Sequence, residues 1–320
     1  MTFISSYKTT NTSRSKLYKG YALGIIGSAC YGLNPLFALP LYQHGLNPDN
    51  VLFYRYFFAI ILLALLMRYR HQSFAIKRGE LLPLFVMGIL FSFSSLFLFM
   101  SYNYLDAGIA STLLFLYPIF AALINAAIFH ERLSLITVAA IGVAFWGISL
   151  LNDNGSGQSL SLTGIGLVAL SALSYAIYLV AVNRSVLKTF PTEKLTFYSI
   201  LFGISIYLVR LNLLTDLQPL NEPITWVCVL GLALMPTVVS LVTITAAIHL
   251  IGSTPASILG ALEPVTALIC GVLVFGEILT FQNIIGILMV LTAVTSIVTV
   301  RPITRFFRYE HLQHKRRKRK

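Results

Sequence analysis

Glu263 stands inside an apolar run, followed directly by a proline, and a carboxylate in such surroundings needs a reason. Two readings stand side by side. It either meets a solute ammonium or a coupling proton, or it is a neutral acid hydrogen-bonded to a neighbouring helix. Arg55 poses the same question with the opposite sign, as an anion contact or gate near one mouth or as a side chain that snorkels to the membrane surface. Around these two, Tyr31, Asn34, Tyr117, Tyr175 and Tyr178 fall at the midpoints of apolar stretches, as do Ser94, Ser95, Ser240 and Thr243. A tyrosine offers a ring face to an aromatic or cationic solute and a hydroxyl to orient it. Tyr175 and Tyr178 are three residues apart, hence on one helical face. Together these residues describe an amphipathic cavity for a small zwitterion or aromatic solute. Pro118 and Pro264 each delete one backbone hydrogen bond, so both are candidate hinges or kinks.

Other chemistries find no foothold. The sequence lacks a GxxxxGK[ST] loop, so no ATPase in this chain drives it. Its six histidines are scattered near loops and the tail without HExxH or paired acidic ligands, and no catalytic residue, metal or cofactor is expected. Cys30, Cys228 and Cys270 each lie in an apolar run and form no CxxC pair, which reads as packing.

The elements that position these residues are membrane helices. The 320 residues are 57% hydrophobic and 11% charged, with mean hydropathy +0.81. A soluble domain of that length would carry far more surface charge. Apolar windows of about 20 residues, the length a bilayer demands, fall near 20–41, 50–67, 81–102, 107–129 and 134–151. Five more follow the polar linker NDNGSGQS, near 162–183, 194–213, 224–249, 254–275 and 281–300. The domain boundaries expected are a cytoplasmic tail 1–19, a first five-helix unit 20–151, a periplasmic linker 152–161, a second unit 162–300 and a basic cytoplasmic tail 301–320. Glu263 then lies roughly 14 Å into its helix at about 1.5 Å per residue, near the bilayer midplane. A charge there costs about 2.5 to 3.5 kcal/mol on insertion scales unless it is protonated, paired or wet.

Charge placement tests this division. With the amino terminus in the cytoplasm, Arg68, Arg70, Lys77, Arg78, Arg132, Arg184, Lys188, Lys194 and the tail from Arg301 all fall inside. The outer loops hold Asp49, Asp106, Asp153, Asp216, Glu222 and Glu277 and no lysine or arginine. Arg210, near the outer end of its helix, is expected to snorkel or to pair with Asp216.

The two sets of five are copies. DAGIASTLLFLYPIF from Asp106 aligns with GSTPASILGALEPVT from Gly252 at one constant offset, which places Ala110 on Ala256, Pro118 on Pro264 and Glu131 on Glu277. Because five is odd, the second copy enters the membrane upside down, and an inverted repeat points first to a transporter.

With these inverted halves, the PxxAALxxxxxxxERLS pattern from Pro118 to Ser134 and its echo EPVTALICGVLVFGE from Glu263 to Glu277, the chain resembles the EamA family of the drug/metabolite transporter (DMT) superfamily. The likeness spans roughly residues 20–300 and is most specific in the fourth, fifth, ninth and tenth helices. It implies an all-α integral membrane fold of ten transmembrane helices in two inverted five-helix repeats. It further implies a secondary transporter, often an exporter, in a bacterial inner membrane, moving a metabolite such as an amino acid through a central cavity. Arg55 looks like the family's pattern, whereas the matching place in the second half holds Ser199. Beside metabolite efflux stand two alternatives, a membrane-embedded scaffold without transport and an integral-membrane enzyme, the latter without the clustered His, Asp or Lys it would need. The expected partners are a small-molecule substrate and anionic inner-leaflet lipids for the tail HKRRKRK, not nucleic acid. Assembly as a homodimer stays open.

Overall fold

The computed structural model describes residues 14–131, 133–151 and 161–317. The first half comprises α1 (Arg14–Gly32), α2 (Asn34–Gln43), α3 (Pro48–Tyr69), α4 (Arg78–Ser101), α5 (Ala107–Leu114), α6 (Tyr117–Phe129) and α7 (Leu135–Leu150). The second comprises α8 (Leu162–Arg184), α9 (Thr192–Arg210), α10 (Pro223–Ala233), a π-helical segment (Leu234–Val239), α11 (Ser240–Ile251), α12 (Ser253–Leu259), α13 (Leu262–Phe275) and α14 (Phe281–Arg317). Seven helical runs among the described residues are long and apolar enough to cross a membrane, and Leu135–Leu150 and Leu262–Phe275 are shorter apolar helices. With α9 these make the ten spans that the sequence pattern describes, so the start of α1 and the end of α14 lie on one face of the bundle, the terminal face. Two boundaries differ from expectation. Helix α1 begins within the expected amino-terminal tail, and α14 carries the tenth span on to Arg317, so the expected tail prolongs a helix. Arg132 and most of the linker lie outside the described residues, as do the side chains of the basic tail.

Three spans are discontinuous, and prolines show why. The first breaks at Leu33, ahead of Asn34 and Pro35, and the Asn34 amide donates to the Tyr31 carbonyl at 2.8 Å in place of a backbone bond. The fourth breaks at Phe115 and Leu116 and the ninth at Gly260 and Ala261, each just ahead of its proline. The backbone stays right-handed α through Phe115 and Leu116 and through Gly260 and Ala261, so each interruption is a kink within its span, and Pro118 and Pro264 stand in the turn that restarts the helix as α6 and α13. The eighth span stays continuous but widens into a π-helix around Pro236.

Packing interleaves the two sequence halves instead of leaving a cavity between two separate bodies. Helix α1 lies along α11, and their inverted counterparts, α8 and α4, lie along each other; α1 also meets α13, as α8 meets α6. Small residues allow this closeness. A Cβ on Gly203 of α9 would fall 2.8 Å from the Gly88 carbonyl oxygen of α4, and one on Gly286 of α14 would fall 2.6 Å from that of Gly147 on α7. Two lobes result, one holding α1, α2 and α10 to α13, the other α4, α6, α8 and α9, with α3 bridging them through α9 and α10. Ion pairs hold α3 to α9 at both ends. Arg70 meets Glu193 at the terminal face, and Arg210 grips Asp49 at the opposite face through two hydrogen bonds of 2.5 and 3.0 Å. The expected pairing of Arg210 with Asp216 is thus replaced, because the antiparallel neighbour presents Asp49 while Asp216 accepts from Asn212.

Candidate functional site

The site is assembled from the helix breaks outward. At the ninth-span break, Glu263 occupies the first turn of α13, where the positive end of the helix dipole favours a carboxylate. Helix α1 crosses that break with no room to spare, since a Cβ on Gly32 would lie 2.3 Å from the Glu263 carbonyl oxygen. The crossing brings Tyr31 within electrostatic reach of both Glu263 and Arg55. Asn34 is 3% exposed, and its side-chain oxygen is buried without a hydrogen-bond partner among the described residues.

Arg55 enters from α3. Asn47 caps that helix by accepting the Asn50 N–H at 3.0 Å, with Pro48 at its first position, which fixes the helix start two turns before the arginine. The side chain is 3% exposed, so it does not snorkel. Its Nε donates to the Thr237 hydroxyl at 3.2 Å, and its guanidinium carbon lies 5.4 Å from the Phe99 ring centre. Thr237 donates in turn to the Leu232 carbonyl at 3.1 Å, five residues back, a reach that the π-helix provides. No ion pair joins Arg55 to a carboxylate among the described residues.

The other lobe supplies aromatic surface. Tyr117 opens α6 immediately after the fourth-span break and packs edge-on against Tyr175, with ring centres 4.8 Å apart. Tyr175 and Tyr178 stack at 5.9 Å with their planes 10° apart, as their spacing on one face predicts. Tyr31, Tyr117 and Tyr175 all lie within electrostatic reach of Glu263. Tyr178 turns away toward Phe91 and Ser199, the residue that matches Arg55 in the second half.

Of the seven expected contact residues, Tyr31, Tyr117, Tyr175 and Glu263 lie within electrostatic reach of one another and Arg55 within reach of Tyr31, Asn34 meets the Tyr31 backbone, and Tyr178 backs Tyr175. Among the polar residues expected to line the cavity, Ser94 is bound to Ser171 of α8 and Ser95 receives the Tyr56 hydroxyl, so these two pin helices together. Thr243 returns its hydroxyl to carbonyls of its own segment. Sequence reasoning missed Thr237, Phe99 and Tyr102, the last of which is also within electrostatic reach of Tyr31, Arg55 and Glu263. Pro236 was the available signal for Thr237, since a proline within a long apolar run marks a place where the backbone must rearrange.

The sequence profile of the EamA-like transporter family matches this chain twice, over residues 18–153 and 162–299. An uncharacterized transporter of Synechocystis sp. is 30% identical over 198 residues, 60% of this chain and 59% of that protein. YdfC, an uncharacterized transporter of Bacillus subtilis, is 26% identical over 247 residues, 76% of this chain and 79% of its own. A solved crystal structure shares the fold with a TM-score of 0.62 at 17% identity, covering 88% of this chain and 96% of the other. Two profile matches that between them take in all ten spans, on a multi-pass helical bundle with its polar residues gathered at broken helices, leave one conclusion: the chain belongs to the EamA-like transporter family.

Proposed function

We propose that this membrane transporter is a secondary exporter of a small zwitterionic metabolite, an amino acid or a close relative, in the cytoplasmic membrane of a bacterium with both termini in the cytoplasm. One observation carries the reading. Arg55, which is buried, and Glu263 both lie within electrostatic reach of Tyr31, and neither has an ion-pair partner among the described residues. Unpaired charges are costly in a low-dielectric interior. A solute carrying one charge of each sign would satisfy both, its carboxylate on Arg55 and its ammonium on Glu263 and the free oxygen of Asn34. Tyr31, Tyr117 and Tyr175 would hold the carbon skeleton.

The charged groups come from α3 and one lobe, the stacked tyrosines from the other. A solute at their junction would be released when the lobes part on one face and close on the other, with the breaks at Pro118 and Pro264 as flexing points. Glu263 could then exchange the ammonium for a proton, which gives export a coupling step. The basic tail would sit against anionic lipids of the inner leaflet.

Thermal stabilisation of the purified protein by amino acids, nucleosides, sugars and polyamines at two pH values tests this. A zwitterion should raise the melting temperature with increasing concentration, and Arg55→Ala and Glu263→Gln should each abolish the shift. Stabilisation by sugars or polyamines alone would overturn the zwitterion reading.

A further inference from the structure

The inverted repeat makes a prediction about itself: in a symmetric molecule, α5 and its counterpart α12 would be equally buried. They are not. Every residue of α5 is buried, Ala107 to 1%, Ile109 and Thr112 to 0% and Leu113 to 3% exposure. Among the described side chains of α12, Ala256 is buried at 7% exposure, but Ile258, the counterpart of Thr112, is 40% exposed, and Pro255 and Leu259 are only partly covered. Among the described residues the packing differs in the same sense. Helix α5 packs closely along α13, where a Cβ on Gly108 would lie 2.7 Å from Leu268, whereas no comparable packing of α6 along α12 is found among the described residues.

Glu277 fastens that contact. Gly276 ends α13 with φ of +69°, which turns the chain so that the next side chain runs back along the helix toward α5. The carboxylate of Glu277 then accepts the first two N–H groups of α5, from Ala107 at 2.7 Å and Gly108 at 3.2 Å. Gly271 makes room for it, since a Cβ there would fall 2.0 Å from the Glu277 carboxylate. Glu277 thus caps a helix from the opposite half of the chain, across the face away from the termini. We propose that Glu277 is the latch of that face, and that the protein rests sealed there and open toward the terminal face. This goes beyond the substrate reading and needs only alternating access from it.

The latch also responds to protons. Glu277 faces Asp106 at the start of α5 and Cys270 on α13, while the first turn of α14, Phe281 to Ile284, brings no titratable group. Burial, with Asp106 adding to it, raises the Glu277 pKa above the ordinary 4.5, and the two N–H groups offset this only in part. The sealed state therefore binds a proton more tightly than a water-exposed carboxylate does. Acid favours the seal, and this contribution is lost as pH rises through the shifted value.

Hydrogen exchange of the full chain in lipid nanodiscs tests the proposal without any substrate. The α5 amides should exchange at least tenfold more slowly than those of α12, after correction for intrinsic rates. Glu277→Ala should erase most of that difference. Glu277→Gln, which is uncharged and keeps one acceptor for Ala107, should stay sealed and lose the pH dependence of α5 exchange. If Glu277→Ala fails to fold, Gly271→Ala displaces the same carboxylate and should open α5 in its place. Equal exchange of α5 and α12 in the parent chain, or unchanged α5 exchange when the latch is removed or displaced, would overturn it. Absence of a stabilising zwitterion would leave these outcomes untouched and count only against the substrate reading.

Discussion

Arg55 is held on α3 by the Thr237 hydroxyl and the Phe99 ring. Thr237 accepts its Nε, and removing that acceptor leaves a buried charged donor unsatisfied, at a cost of about 1 to 3 kcal/mol. Thr237→Val should therefore lower the melting temperature measurably while Thr237→Ser restores it, and a valine variant that melts like the parent would show that Thr237 does not hold Arg55. Glu263 invites a different test, because its amide analogue keeps the shape and loses the charge. Glu263→Gln should retain the fold by size-exclusion and melting criteria and lose substrate-induced stabilisation at every pH. The two residues also show what a sequence exposes at this scale. An ionisable group inside an apolar run cannot be mistaken for packing material, so Arg55 and Glu263 were legible. Threonines in membrane helices routinely return their hydroxyls to their own backbone, as Thr243 does, so Thr237 looked like one of many until the π-helix placed it.

Helices α3 and α9 are fastened at both ends by ion pairs of unequal burial. At the terminal face the acid, Glu193, has 6% of its side chain exposed, whereas Asp49 at the other end has 16%. Exposed pairs contribute about 0 to 1 kcal/mol, while stripping the partner from a buried charge costs far more. Arg70→Met should then depress the melting temperature more than Arg210→Met, and the reverse order would contradict the burial argument. The α7 and α14 crossing is set by Gly147 and Gly286, and a methyl on Gly286 would meet backbone at 2.6 Å. Gly286→Ala should consequently destabilise the bundle although alanine is the better helix former. Spans were readable from hydropathy because length and apolarity are local properties. The breaks ahead of Pro118 and Pro264 were half readable: proline marks the neighbourhood, but how the helix departs from regularity depends on what packs against it, as α1 does at Gly32 against the Glu263 carbonyl.

At the scale of the whole molecule, the inverted repeat was visible in paired residues such as Pro118 with Pro264 and Glu131 with Glu277, yet the way the halves interleave was not. Which helix lies beside which is decided by small residues meeting across the bundle, Gly88 against Gly203 and Gly147 against Gly286, and a single sequence does not say which glycine meets which. The same holds for the unequal burial of α5 and α12, which depends on contacts between parts of the chain far apart in sequence. The central claim, that Arg55 and Glu263 bracket a zwitterion on its way through the membrane, is tested most directly by equilibrium exchange of labelled amino acids across proteoliposomes containing the parent chain, Arg55→Ala or Glu263→Gln. The account predicts that the parent exchanges at least one zwitterionic amino acid and that each substitution lowers the rate tenfold or more. Exchange by Glu263→Gln at the parent's rate, with the parent's pH dependence, would contradict it.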